Sequence, residues 1–194
     1  VRIAGAMKNV MWKGELAGVI KLDTLLPQKG LYGLGPLSYL KGELLIVDGE
    51  VYVSKVISKS EMKVERSKEV SAPFFVYAHV NDWREVELPK NIKSISDLEQ
   101  FVDQQTENQK RPFAFKLIGE ISRAIIHIQN LPEGSQVSSP QEAHKGQVNY
   151  ELGRQKVTVV GFFSTEHQGI FTHHDSFVHL HLVNNAQTKM GHLD

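Results

Sequence analysis

The chain has 194 residues, 41% hydrophobic and 23% charged, with Lys+Arg and Asp+Glu both at 22 and so a formal charge of zero. That balance fits one ordinary soluble domain and gives no general attraction to phosphate backbones or anionic lipid, which argues against nucleic-acid and membrane partners. Without cysteine there are no disulfides and no thiolate zinc sites, and no apolar run reaches the roughly 20 residues that span a bilayer. A cytoplasmic location is the expectation, although a chain that starts at Val1 and stops at Asp194 also fits a removed leader and further C-terminal sequence.

In chain order, a glycine-rich opening (Gly5, Gly14, Gly18, Gly30, Gly33, Gly35) with short apolar runs comes first. Residues 42–47 (GELLIV) and 50–56 (EVYVSKV) then read as a β-hairpin closed by Asp48-Gly49, a pair that suits a two-residue turn. Residues 74–80 (FFVYAHV) read as another strand. One helix is expected over about 96–107, with Ser96 and Glu99 in the form of a capping box and Leu98, Phe101 and Val102 on one face. Residues 113–128 (FAFKLIGEISRAIIHI) read as a long strand or strand pair broken near Gly119, and 129–147 as loop. Strands over 156–164 and 176–183 follow, and Met190 to Leu193 begins the last one. The whole reads as a single α+β domain, mainly antiparallel sheet in two associated halves. The N-terminal sheet half covers about 1–92, and the second, barrel-like metal-binding half covers about 111–194.

Nine histidines are present, six of them between His167 and His192. Alternate strand residues share a face, so His179 and His181 point the same way, and Leu180 and Leu182 point into the core. His192 follows a hairpin-length turn and can return beside them. Three imidazoles on adjacent strands can hold a divalent metal, best guess zinc, with positions left open for water or substrate. The alternative is a set of half-buried sheet histidines, some paired with carboxylates. His173 and His174 sit in the preceding loop as cavity-lining groups or plain surface residues, with His174 taken as a substrate-binding candidate. His144 lies in a polar loop that can reach over a site. His167 and His79 read as structural.

Three segments together resemble the alpha-acetolactate decarboxylase family: VVGFFSTEHQGIFTHHDSFVHLHLVNNAQTKMGHLD at the C-terminus, GLYGLGPLSYLKGELLIVDGEVYVS near the start, and RPFAFKLIGEISRAIIHIQNLP between them. Their order and rough spacing agree over nearly the whole chain. The resemblance implies a homodimeric, zinc-dependent lyase that converts 2-acetolactate, a small-molecule substrate, to acetoin and carbon dioxide. In it the metal is a Lewis acid on the keto and hydroxyl oxygens. It implies His179, His181 and His192 as the metal ligands and Glu43 beside the metal, where a carboxylic acid can return a proton to the carbon that lost carbon dioxide. Apart from the resemblance, Glu43 reads as a solvent-facing residue opening a hairpin strand. Two departures stand out. The family's central-strand arginine falls on His127, which can hydrogen-bond a carboxylate but lacks the fixed charge and fork of a guanidinium. A further family glutamate falls beyond Asp194. His127 is therefore either a substrate-binding and catalytic group or a strand histidine with a backbone partner. Three functions stay open: the acetolactate lyase, a metal-dependent lyase acting on a different small hydroxy-keto acid, and a non-catalytic metal- or ligand-binding homologue.

Overall fold

The computed structural model of the chain describes residues 1–25 and 29–194. Its frame is two six-stranded sheets in which every pairing is antiparallel. The first sheet is built from β1 (Arg2–Gly5), β3 (Leu31–Pro36), β4 (Glu43–Val47), β5 (Glu50–Val56), β6 (Met62–Arg66) and β8 (Phe74–His79), in the order β1-β8-β3-β4-β5-β6. A two-stranded ribbon, β2 (Ile20–Lys21) with β7 (Ser71–Ala72), sits beside it. The second sheet is built from β9 (Phe113–Ile121), β10 (Ala124–Ile128), β11 (Val148–Leu152), β12 (Gln155–Phe163), β13 (Val178–Asn184) and β14 (Met190–Leu193), in the order β11-β10-β14-β13-β12-β9.

The hairpin at Asp48-Gly49 forms as expected. Both turn residues have positive φ, 50° and 87°, the geometry that matches the twist of the flanking strands. The second half is not a barrel. Among the described residues, β11 pairs with β10 alone and β9 with β12 alone, so the sheet stays open at both edges. What replaces closure is packing against the first sheet. One core cluster contains Tyr32, Leu34, Leu45 and Val76 from the first sheet with Val160, Phe162, Val183 and Met190 from the second. The opposite face of the second sheet, with Leu180 and Leu182, packs on Leu98 and Val102 of the longest helix. Both faces of β13 are thus covered, and all seven of its residues are buried.

Among the described residues, three α-helices complete the fold: α1 (Met7–Lys13), α2 (Ile95–Gln105) and α3 (Pro140–Ala143). Among the described residues, no helix is long and apolar enough to cross a membrane. The helix start expected at Ser96 lies two residues earlier. Ser94 is the cap; its hydroxyl accepts the Asp97 N–H at 3.1 Å, and the Asp97 carboxylate accepts the Ser94 N–H at 3.0 Å. The sequence holds two overlapping matches to the same pattern, and backbone geometry selects the first. The break in the 113–128 strand also moves. β9 runs through Gly119, and the chain turns at Ser122-Arg123 instead. The loop expected over 129–147 contains α3, capped by Ser139.

The shifted cap is open to a direct check. Ser94→Ala costs about 1 kcal/mol of stability, as the loss of an N-cap does, whereas Ser96→Ala changes stability by less than about 0.5 kcal/mol. Urea midpoints of the two variants read the difference, and the reverse order would restore the Ser96 start.

Candidate active site

Strand register assembles the site. His127 on β10 pairs directly with His192 on β14, and His192 pairs with His181 on β13. Three imidazoles therefore stand in one row across adjacent strands, and His179 joins them two residues along β13 on the same face. The ring centroids of His179 lie 5.0 Å from those of both His181 and His192, and His181 and His192 are 5.6 Å apart. His127 stacks on His192 at 4.3 Å. His179 and His181 are 3% and 0% exposed, because the first sheet lies over them.

The first sheet contributes Glu43, the opening residue of β4. A constrained turn delivers it. Tyr39 and Leu40 take left-handed backbone, φ 60° and 50°, and Gly42 has φ 154°. Non-glycine residues hold such conformations only where the surroundings enforce them. Here Leu40 is buried and its carbonyl accepts the Leu131 N–H at 2.9 Å. At Gly42 a side chain would meet the Ser54 carbonyl oxygen. Glu43 itself is 3% exposed. Its Oε1 accepts the Gln129 N–H at 3.1 Å, and its Oε2 lies 3.7 Å from His181 Nε2, beyond hydrogen-bonding range.

Asp194 completes the group, and it has no part in the sequence reading. Its Oδ1 lies 2.7 Å from His127 Nδ1 and 3.2 Å from His192 Nδ1. Asp194 directly follows β14, and a residue two positions after His192 in extended chain shares its face; that spacing is the signal by which Asp194 was legible. His127, Asp194 and His192 offer atoms within 4.8 Å of one another, a group that could hold a metal ion.

Burial sets the protonation states. It holds the Glu43 carboxyl well above the usual carboxylate range, against the opposing effect of the Gln129 N–H. It pushes His179 and His181 well below the usual imidazole range and His192 down to about 3, so all three are neutral near pH 7 and can act as nitrogen ligands. Burial alone would raise the Asp194 carboxyl, but the hydrogen bonds from His127 and His192 outweigh it and keep Asp194 ionised.

Four nitrogens of the three imidazoles are buried without a well-formed hydrogen bond: His179 Nδ1, both nitrogens of His181, and His192 Nε2, with the Phe171 and Leu44 carbonyls approaching the His179 and His181 rings. Buried polar atoms are rarely left so. A cluster of neutral, unsatisfied imidazole nitrogens is the donor set that a divalent transition metal takes. By donor type these imidazoles suit such an ion, while His127, His192 and Asp194 are the group whose donor atoms already stand within 4.8 Å of one another.

Of the other expected positions, His174 lies apart, with its side chain 91% exposed. Its neighbour His173 is the one that turns inward, its ring edge-on to His192 at 5.4 Å. The 173–174 pair sits in a loop where no strand alternation fixes which ring faces in. His144 reaches the site and lines it. His167 bonds Ser164 at 2.7 Å and His79 is on the surface. Arg123, Glu120 and Glu142 are surface groups bonded to Glu151, Arg154 and Ser138.

The site opens into a cavity of about 870 Å³, with His127, His192 and Asp194 in its wall. A much smaller pocket of about 20 Å³ lies behind, against Glu43 and His179. From Gln129, bonded to Glu43, side-chain hydrogen bonds run through Gln147 to Asn149 at the cavity wall.

Comparison with known proteins gives a consistent result. Residues 5–194 match the family model for alpha-acetolactate decarboxylase. An alpha-acetolactate decarboxylase of Lactococcus lactis subsp. lactis is 25% identical over 187 residues, which is 95% of this chain and 75% of that protein. Another, of Methanosarcina mazei, is 25% identical over 182 residues, 93% of this chain and 60% of that protein. Two solved structures share the fold. One is a Staphylococcus aureus protein of unknown function similar to alpha-acetolactate decarboxylase, with TM-score 0.79, 18% identity, and coverage of 98% of this chain and 78% of that one. The second is alpha-acetolactate decarboxylase from Bacillus subtilis strain 168, with TM-score 0.76, 21% identity and the same coverage, 98% and 78%. With a match running over nearly the whole sequence, the chain belongs to the alpha-acetolactate decarboxylase family.

Proposed function

We propose that this chain is a metal-dependent carboxy-lyase that converts 2-acetolactate to acetoin and carbon dioxide, with a divalent cation, zinc by family resemblance, on His179, His181 and His192. The observation that carries the proposal is the set of buried imidazole nitrogens without a well-formed hydrogen bond, beside a buried carboxyl group. The ion is placed on this triad rather than on His127, His192 and Asp194 for a physical reason. Asp194 Oδ1 is already engaged by both Nδ1 atoms, whereas His179 Nδ1, His181 Nε2 and His192 Nε2 are buried without a well-formed hydrogen bond. A carboxylate on the outer nitrogen of a ligating histidine fixes its tautomer and ring plane. That is the role given to Asp194 toward His192.

A cation held there supplies Lewis-acid stabilisation of the charge that develops on the keto oxygen. In the reaction the bond between the carboxylate carbon and C2 breaks, and carbon dioxide leaves. The electron pair moves between C2 and C3, and C2 then takes a proton to give acetoin. Glu43 is suited to provide it. Burial raises its pKa and so favours the protonated carboxyl, and Oε1 is occupied by the Gln129 N–H. The proton therefore sits on Oε2, the oxygen facing His181. His127 has its Nδ1 on Asp194 at the cavity wall, and in its imidazolium form its other nitrogen donates to a substrate carboxylate there.

One observation favours a second reading, a lyase for a different small hydroxy-keto acid. The Asp194 carboxylate, 2.7 Å from His127, offsets whatever positive charge that ring carries, which weakens its pull on a substrate carboxylate.

Acetoin formation from racemic 2-acetolactate, with bound metal measured on the same sample, tests the proposal. Glu43→Gln keeps its metal and loses about 10²–10⁴-fold in kcat, the range for a removed general acid; wild-type turnover in this variant would take the proton-donor role from Glu43. Asp194→Asn weakens metal binding by about 10–100-fold in a chelator competition, the usual effect of losing a carboxylate behind a histidine ligand. Unchanged affinity would remove its orienting role.

A further inference from the structure

The decarboxylase reading leaves His144, His173 and helix α2 without a part, and these meet at one place. His127, His144, His173 and His192 line both the large outer cavity and the small inner pocket. Glu43 lines the inner pocket alone. A collar of four imidazoles thus stands between the two spaces, and the inner space of about 20 Å³ has room for about one water. His127 and His192 are held in the collar by sheet pairing and by Asp194. His173 is held otherwise, because it sits in the connection between β12 and β13 rather than on a strand.

Two anchors fix that connection. Upstream of His173, the carbonyls of Gly169 and Ile170 accept the Lys8 and Met7 N–H groups of α1 at 2.8 and 2.7 Å. Downstream, one oxygen of Glu99 on α2 accepts both the Ser176 hydroxyl at 2.5 Å and the Phe177 N–H at 2.9 Å. The Ser176 N–H in turn donates to the His173 carbonyl at 3.4 Å. Glu99 has no capping duty, since Asp97 fills that place. A glutamate on a helix flank ordinarily faces water. This one spends its carboxylate on the loop, with charge-assisted bonds that are stronger than neutral ones.

We propose that Glu99 is a positioning residue for His173. Through Ser176 and Phe177 it holds the 164–177 connection so that the His173 imidazole closes the collar between the outer cavity and Glu43. The kinetic consequence rests on the decarboxylase reading; the structural anchor does not.

The test therefore has two arms on the metal-loaded full chain. In hydrogen exchange, Glu99→Ala speeds exchange of peptides within 165–177 by at least about ten-fold, the effect of losing a hydrogen bond to a charged group, with β13 and β14 unchanged. Glu99→Gln, whose amide oxygen still accepts, restores most of the protection. Ser176→Ala, which leaves α2 intact, gives the same local loss and covers a Glu99→Ala protein that fails to fold. In kinetics with 2-acetolactate, Glu99→Ala and His173→Ala both lower kcat/KM, and the double variant is no worse than His173→Ala alone. Unchanged loop exchange in both Glu99→Ala and Ser176→Ala overturns the anchor, and multiplicative kinetic losses overturn its action through His173. A wild-type protein that makes no acetoin counts against the decarboxylase reading, and the exchange arm still decides the anchor.

Discussion

Three imidazoles gathered between two sheets, with four buried nitrogens that lack a well-formed hydrogen bond, are the constraint on which the rest of this structure depends. Each buried polar atom without a partner costs about 1–3 kcal/mol. A fold does not collect several such atoms side by side unless something compensates. The surrounding architecture is what tolerates the cost. Val160, Phe162, Val183 and Met190 of the second sheet pack against the first, and Leu180 and Leu182 pack on α2. β13 can carry His179 and His181 into the interior because a strand flanks it on each side and both of its faces are covered.

The same burial divides the labour among the ionisable groups. Low polarity keeps the histidines neutral and shifts the Glu43 carboxyl toward its protonated form. Asp194, at the more open cavity wall, stays ionised because two imidazoles donate to it. Neutral imidazoles, a carboxyl with a raised pKa and an ionised carboxylate therefore coexist within one site through differences in solvent access and hydrogen bonding. The spacing is a consequence of antiparallel register: His127, His192 and His181 are direct cross-strand neighbours.

Much of this was readable in the sequence. The Asp48-Gly49 hairpin, the His179–His181 alternation and the return of His192 follow from period two and turn chemistry. The open edges of the second sheet were not readable, since barrel closure is a long-range property that strand patterns leave undetermined. The helix start was ambiguous for a local reason: Ser94 with Asp97 and Ser96 with Glu99 both match a capping box, and Glu99 is occupied by a tertiary contact to residues 77 and 78 positions away. The inward turn of His173 rather than His174 depends on that loop's anchors. The burial of Glu43 depends on the second sheet lying over the first, which no hairpin pattern reveals.

The central claim is the location of the metal, and bound metal per chain in two variants tests it most directly. Wild-type protein is predicted to retain one equivalent after dialysis against buffer, His179→Ala to lose it, and His127→Ala to keep it. Retention by His179→Ala together with loss by His127→Ala would contradict the account, and would put the ion on His127, His192 and Asp194 instead.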